Sequence, residues 1–310
     1  MSTNHNYSYP NHIQGFTLIE LMISLVLGLL ISAAVIQVYM ISTRTMTVQQ
    51  SASEVQDSTI FALQAIEKHV RLANLGNPIT SINDTTNHGG VVLTKISLGS
   101  ANNTEANYFT NSATGLSNTN IASDQLTIQY KNITPNILYD CEGGVIAAGS
   151  SDWVVERYFI RLTTGARANS TGLQNLALAC AAGRISNDGT VIEDFKDDGS
   201  VIVSAIDQFK ILLGIKMDVG QMTYIAPNTY LALTEKPPIT IVKLGVIVRS
   251  STPLITDSNQ TSFTILGNTQ TLKADNAPNK YYRRGYESTI LLRNARLMNV
   301  VATAPKLATP

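Results

Sequence analysis

The 310-residue chain carries 22 Lys plus Arg against 22 Asp plus Glu, so no excess of either sign points to a nucleic-acid groove or an acidic-substrate site. Charged residues make up 14% of it, against about a quarter in an ordinary soluble domain. Asn, Ser and Thr supply the polarity instead, as in an exported, loop-rich protein of one or two domains. No Walker-type phosphate loop, Gly-x-Ser-x-Gly elbow or dinucleotide fingerprint occurs, so neither enzymatic activity nor a cofactor is expected.

From Met1 to Thr43 the only formally charged side chain is Glu20. Leu21 to Ile41 are 21 positions without Asp, Glu, Lys or Arg; as a helix they span roughly 31 Å, the thickness of a hydrocarbon core. A removed secretory signal has a basic n-region, a shorter apolar run and a small-residue cleavage site. Here Met1 to Gln14 contain no Lys or Arg, only His5 and His12, and no Cys follows for lipid attachment. The segment therefore reads as a retained membrane anchor. Gly15 stands at the junction of the polar leader and the apolar run, where the missing side chain lets a protease approach the backbone. Glu20 lies one turn further in. An ionised acid costs about 2.5–3.5 kcal/mol near the centre of a membrane helix, less near the interface, and persists there when a partner compensates it.

The string Gly15-Phe16-Thr17-Leu18-Ile19-Glu20 resembles the type IV prepilin processing site. That resemblance implies cleavage between Gly15 and Phe16 by a prepilin peptidase and N-methylation of Phe16. It also implies a subunit-assembly role for Glu20, whose carboxylate would meet the free amine of a neighbouring subunit. The leader departs from the family in lacking Lys or Arg before the glycine, and Arg44 lies on the far side of the segment; the orientation expected rests on the cleavage string, not on positive-inside counting.

Beyond Ile41, Val48, Ala52, Val55, Thr59, Ala62, Ile66, Val70 and Ala73 recur at steps of three and four, one face of a helix. With no Pro from Phe16 to Leu75, and with Gly76 and Pro78 as stops, the pattern predicts one helix of about 60 residues. Residues 16–42 form its membrane or filament-core half and 43–76 its amphipathic half, docked on a sheet. Major pilins often carry a Pro in the membrane half; here Gly28 is the only intrinsic weak point, which favours a minor subunit. From Asn77 onward strands are predicted at Val92 to Leu98, Leu126 to Tyr130, Trp153 to Leu162, Phe209 to Ile215, Ile239 to Val248, Ser262 to Leu266 and Tyr286 to Leu292. Turn signals at His88-Gly89-Gly90, Asn187-Asp188-Gly189 and Asp197-Asp198-Gly199 separate some of them. Residues 100–123 read as a loop or insertion and 301–310 as a loose tail. One sheet and two sheets are both compatible with the pattern.

Two further blocks are similar to the PilW-type minor pilins: Ile206 to Ile215, and Tyr282-Arg283-Arg284-Gly285-Tyr286 followed by Thr289-Ile290-Leu291-Leu292-Arg293-Asn294. Arg283, Arg284, Arg293 and Asn294 are candidate interface residues, with a solvated strand entrance as the alternative for the arginine pair. Cys141 and Cys180, the only cysteines, are candidates for a disulfide in an oxidising compartment, the alternative being two buried thiols. A zinc site is not expected, because neither His69 nor His88 stands at ligand spacing to a cysteine, and His69 reads as a packed or surface histidine. Glu193, Asp194, Asp197 and Asp198 read as an acidic turn, with calcium binding near Asp197 left open.

The expected fold is α+β and pilin-like: a long N-terminal helix on an antiparallel β-sheet head spanning residues 77–310. By resemblance the expected function is that of a minor pilin in initiation or tip-proximal assembly of a type IV pilus, supporting adhesion, twitching motility or DNA uptake. A minor pseudopilin of a type II secretion system is the alternative. Implied partners are the prepilin peptidase, other minor pilins, the major pilin and, before assembly, the inner membrane. No direct nucleic-acid site is evident.

Overall fold

The computed structural model describes residues 15–99, 106–163, 173–216, 221–254, 260–274 and 280–295. The leader up to Gln14, part of the 100–123 segment and the 301–310 tail lie outside the described residues. The chain divides into two compact units, residues 1–49 and 50–310. One helix, α1 (Leu18–Val70), begins in the first and ends in the second. In the first unit every described residue from Gly15 to Met46 is exposed. In the second, Ser51, Val55, Thr59, Ala62, Leu63, Ile66, His69 and Val70 are buried, and the three-and-four spacing appears as a packed seam.

The helix ends earlier than Leu75. After Val70 the bonds tighten, with Leu72 and Ala73 N–H reaching the carbonyls of His69 and Val70. Asn74 then enters the left-handed region at φ +66°. Its buried side chain makes that conformation worthwhile: Nδ2 donates to the Ile79 and Asn294 carbonyls at 2.8 Å, and Oδ1 accepts from Gly90 N–H at 3.1 Å. A Cβ on Gly90 would stand 2.4 Å from the Asn74 nitrogen, so only glycine fits there.

The head follows as α2 (Lys95–Leu98), β1 (Asn111–Gly115), β2 (Ser123–Lys131), β3 (Leu138–Tyr139), β4 (Val145–Ile146), β5 (Trp153–Leu162), β6 (Leu176–Ile185), β7 (Val191–Glu193), β8 (Ser200–Val203), β9 (Ile206–Lys216), β10 (Met222–Ile225), α3 (Pro227–Ala232), β11 (Ile239–Leu254), β12 (Ser262–Ile265), β13 (Asn268–Thr271) and β14 (Lys280–Leu291). Two antiparallel sheets result. The first runs β1-β2-β5-β6-β7 with β8 also on β6, and the second runs β10-β9-β11-β14; β3-β4 and β12-β13 are separate ribbons. The open question of one sheet or two resolves as two.

The sheets meet without a backbone ladder. Beyond the reach of β10, the edge of β9 donates Phe209 N–H to Ser123 Oγ (3.2 Å) and Ile211 N–H to the Asp124 carboxylate (2.8 Å), while Lys210 pairs with Asp124. Side chains of β2 thus stand in for a neighbouring strand. One core spans both sheets and the α1 seam, with Ile66, Val70, Ile128, Tyr158, Phe209, Leu213 and Val242 fully buried.

Three further expectations fail here. Residues 100–123, expected as a loop or insertion, supply β1 (Asn111–Gly115) to the edge of the first sheet. The predicted strand from Val92 to Leu98 is a bridge at Val91 followed by α2, because Thr94 and Ser97 cap each other: Ser97 N–H donates to Thr94 Oγ1 and Thr94 N–H to Ser97 Oγ. The strand β6, Leu-Ala-Leu-Ala-Cys-Ala-Ala-Gly-Arg-Ile, was not anticipated at all. It lies in mid-sheet with nine of its ten residues buried, and so shows no alternation to read.

A second core covers the opposite face of the first sheet through Val92, Leu98, Phe109, Trp153, Val155, Ile185 and Phe195. His88 is part of it, stacked on Trp153 with ring centroids 4.5 Å apart. Gln129 Nε2 lies 3.1 Å from His88 Nδ1, which assigns the ring proton to Nε2. Burial holds the imidazole below its ordinary value of 6.5; the nearby Asn187 backbone offsets part of this and Lys131 adds to it. The folded state therefore favours the neutral ring, and this contribution to stability is present above pH 6.5 and lost as pH falls through the lower folded value. The urea midpoint of the full chain in detergent should fall on acidification from pH 7, and less steeply in His88→Gln. Parallel pH profiles for the two chains would show that the stacked imidazole is not the sensor.

Candidate functional site

The N-terminal residues present an open backbone. Phe16 is 89% exposed, and a Cβ on Gly15 would have nothing within 4 Å. Thr17 N–H and its hydroxyl both donate to Glu20 Oε2 at 2.9 Å, and Glu20 N–H approaches Thr17 Oγ1 at 3.3 Å. This is a capping box with Thr17 at the N-cap and Glu20 at the third helical position. The Thr-x-x-Glu spacing is the sequence signal for it. The carboxylate favours the positive end of the helix dipole as well.

Downstream, hydroxyls in the apolar stretch (Ser24, Ser32) and just beyond it (Thr43, Thr45, Thr47) turn back on the helix itself. Ser24 donates to the Leu21 carbonyl, Ser32 to Gly28, Thr43 to Tyr39, Thr45 to Ile41 and Thr47 to Thr43, all at 2.8–3.0 Å. A polar group satisfied within its own helix can enter hydrocarbon at low cost.

In the head, Cys141 and Cys180 form a disulfide with Cα atoms 6.2 Å apart. Cys141 sits in a turn, as its neighbours Asp140 and Gly143-Gly144 suggest. Cys180, read as loop-flanked because of Gly183, is instead fully buried in β6. The turn is fastened at three further points: Asp140 pairs with Arg184, Ala182 N–H donates to Glu142 Oε2 at 2.8 Å, and Ser200 Oγ to Glu142 Oε1 at 3.0 Å. Beneath the bridge lies Glu156, fully buried. It accepts from Tyr130 Oη (2.8 Å), Tyr158 Oη (2.7 Å) and Cys141 N–H (3.0 Å), and His69 Nδ1 stands 2.9 Å from Oε1. Burial first, and then the Glu156 charge, push both phenols far above their ordinary range, so both remain donors. His69 is thus packed, on α1, and Glu156 is a polar centre that alternation along β5 alone does not reveal.

The C-terminal block resolves into distinct roles. Arg283 is no strand entrance: its side chain is 1% exposed, with Nε 2.7 Å from Asp207 Oδ2. Arg249, directly opposite on β11, reaches the same carboxylate at 3.8 Å, and Asn118 Nδ2 donates to Oδ1 at 2.6 Å. The Tyr281 ring lies near both guanidiniums, at 4.7 and 5.6 Å. Asp207 occupies a bulge in β9, between the residues paired with Ile247 and Val248. Arg284 is exposed, against Tyr286. Asn294 Nδ2 faces the carbonyls of Arg71, Leu72 and Ala73 at 3.3–3.5 Å, where the helix has run out of partners. Arg293 stays exposed and lines an open groove of about 560 Å³ with Lys68, Arg71, Glu67, Leu72 and Leu75.

The acidic turn serves a buried cation. Arg157 donates from Nε to the Phe195 carbonyl (2.9 Å) and from Nη2 to the Asp197 carbonyl (2.6 Å), and Phe159 lies 3.6 Å from its Cζ. Burial lowers its pKa to about 10, and Tyr108 and the carboxylates of Asp197, Asp194 and Asp198 act the other way. Asp197 Oδ1 is engaged with Gly199 N–H. Among the described residues the potential ligand cluster is Cys141, Glu156 and Cys180, not this turn.

Residues 10–36 match the family described as the prokaryotic N-terminal methylation motif, and residues 158–294 the family described as type IV pilus-assembly protein W. No curated protein matches the chain. A type IV-like pilin from Thermus thermophilus is similar in structure at 11% identity and a TM-score of 0.38, over 78% of this chain and 98% of that one. The second family match covers β9, β11 and β14, the strands that carry Asp207, Arg249 and Arg283.

Removing one partner from a buried pair leaves an uncompensated charge, at a cost of about 3–5 kcal/mol. Arg283→Ala should therefore lower stability by about that much in chemical denaturation, whereas Arg284→Ala should stay within about 0.5 kcal/mol of the parent. Equal effects from the two changes would refute the buried-clamp assignment.

Proposed function

We propose, for a chain that is a type IV prepilin most like the PilW-type minor pilins, that it serves as a low-abundance subunit in initiation or tip-proximal assembly of a type IV pilus. One observation carries this reading: the exposed apolar stretch of α1 up to Met46 has a single carboxylate, Glu20, in its first turn. A prepilin peptidase would cut between Gly15 and Phe16 and methylate the new amine. Residues 1–15 are then the leader and 16–42 the half that lies first in the inner membrane and later in the filament core. The 77–310 head, with residues 43–76 docked to it, would stand in the periplasm and afterwards on the fibre.

Glu20 is suited to the assembly role on this reading. Both Thr17 donors fall on Oε2, and a carboxylate accepts at four lone-pair positions. Oε1 can therefore take the ammonium of a neighbouring subunit while the helix cap stays in place. A subunit at the extreme tip would have no amine above it, which puts this one below another, next to other minor pilins or the major pilin.

The mature protein should begin at methylated Phe16 when the peptidase is present and at Met1 when it is deleted, read by N-terminal sequencing and mass. Glu20→Ala should still be cut but should enter fibres at least about tenfold less than the parent. A mature form that keeps an unmodified Met1 would refute the reading. Deletion should remove surface fibres and motility; loss of secreted enzymes with fibres intact would instead identify a type II secretion pseudopilin.

A further inference from the structure

The pocket beneath the Cys141–Cys180 bridge contains more ligand chemistry than a disulfide requires. The two Sγ atoms and a Glu156 carboxylate oxygen all lie within 4.8 Å of one another. From the helix side, His69 brings Nδ1 to 2.9 Å from Glu156 Oε1, yet this atom is buried and makes no hydrogen bond of good geometry. A buried imidazole nitrogen without a well-formed hydrogen bond, facing an acid that itself lies beside two sulfurs, calls for an explanation.

We propose that, before the disulfide closes, Cys141, Cys180, Glu156 and His69 form a binding site for a thiophilic divalent cation of the zinc class. Zinc accepts thiolate, imidazole and carboxylate ligands together, at about 2.0–2.3 Å and in tetrahedral array, which places ligand atoms roughly 3.3–3.8 Å apart. Two sulfurs and a Glu156 oxygen are already gathered within 4.8 Å, and His69 reaches the same acid from the helix side. The sulfurs must separate from bonding distance, by rotation of the Cys141 and Cys180 side chains while the turn stays fastened. Glu156 keeps acceptor capacity, since Oε2 is engaged by Tyr158 alone among its hydrogen bonds. Tyr130, Tyr158 and Cys141 N–H hold the carboxylate in place, as outer-shell donors commonly do in metal sites. Two thiolates, a carboxylate and a divalent cation leave one net negative charge, which these donors face.

Binding and closure exclude each other. Oxidation transfers two electrons from the thiolates to a disulfide oxidant, which leaves as a dithiol after taking up two protons; the sulfurs join and the cation departs. In either state the 140–144 turn is fastened to β6, so the head keeps its staple under reducing and oxidising conditions alike.

The test uses the full chain in detergent, reduced with a phosphine and then freed of it without air. Cobalt(II) should bind at one equivalent with thiolate charge-transfer absorption and the strong visible bands of a tetrahedral site, and zinc should displace it. Zinc should also slow alkylation of both thiols, and Glu156→Gln and His69→Gln should each weaken cobalt binding about tenfold or more. The proposal is overturned if the reduced chain, folded by circular dichroism, gives no such spectrum, or if zinc leaves alkylation unchanged. Unaltered affinity in both variants would also overturn it, by reducing the site to two thiols. If Glu156→Gln does not fold, alkylation of the parent and the His69→Gln titration decide.

Discussion

Burial of one stripe of α1 against a face that two sheets share is the contact on which the head depends. Val55, Ala62, Ile66, Val70 and Ala73 are at most 6% exposed and belong to one cluster with Leu126, Ile128 and Tyr158 of the first sheet and Phe209, Leu213, Val242 and Ile290 of the second. No backbone ladder joins the sheets; Ser123 and Asp124 side chains bridge their edges. The helix is therefore a wall common to both. A helix segment of this length owes most of its stability to such packing and little to propensity, so sheet and helix support each other.

Apolar packing tolerates sliding; the buried polar groups do not. Each gathers segments far apart in sequence: Glu156 takes Tyr130, Cys141, Tyr158 and His69, Asp207 takes Asn118 and Arg283, and Arg157 takes the Phe195 and Asp197 carbonyls. Asn74 ties the helix end to Ile79, Gly90 and Asn294. A shift of one residue in β5 would turn Glu156 away from the helix and strand it without donors. These groups contribute registry, in addition to whatever net stability survives their desolvation.

What the sequence disclosed follows from this division. Periodicity is local, so the α1 seam and the strands at Trp153–Leu162 and Ile239 onward were legible, as was the N-terminal motif from Gly15 to Glu20. The strand β6 was not, because burial on both faces removes alternation, and the Thr94–Ser97 cap overrode an apolar run that looked extended. The Cys pair could be matched because only two exist, yet the setting of Cys180 in mid-sheet was invisible. Arg283 and Arg284 are adjacent and chemically alike, and only the fold shows that one is enclosed by Asp207 while the other faces outward. Asn294 was noticed as part of a block, but its task of facing the last helical carbonyls depends on chain that lies more than 200 residues earlier.

The same helix obeys two rules along its length, and the change between them bears on the proposed assembly. Up to Met46 every face is exposed and nearly all are apolar; from Ser51 onward one face is buried. In hydrocarbon, where water cannot satisfy backbone groups, continuity of the i→i−4 ladder is obligatory, and the hydroxyls of Ser24 and Ser32 stay within their own helix. Gly28 is the weakest helix former in that stretch, and Ser32 draws on its carbonyl. With no proline to break the ladder, the segment would, on the proposed reading, leave the membrane for a filament core as a rod. The local energetic contest on that route would then be over Glu20, whose carboxylate already holds cap bonds to Thr17. An arriving amine need not displace them, so on the proposed reading the cap prepares the acid for its partner.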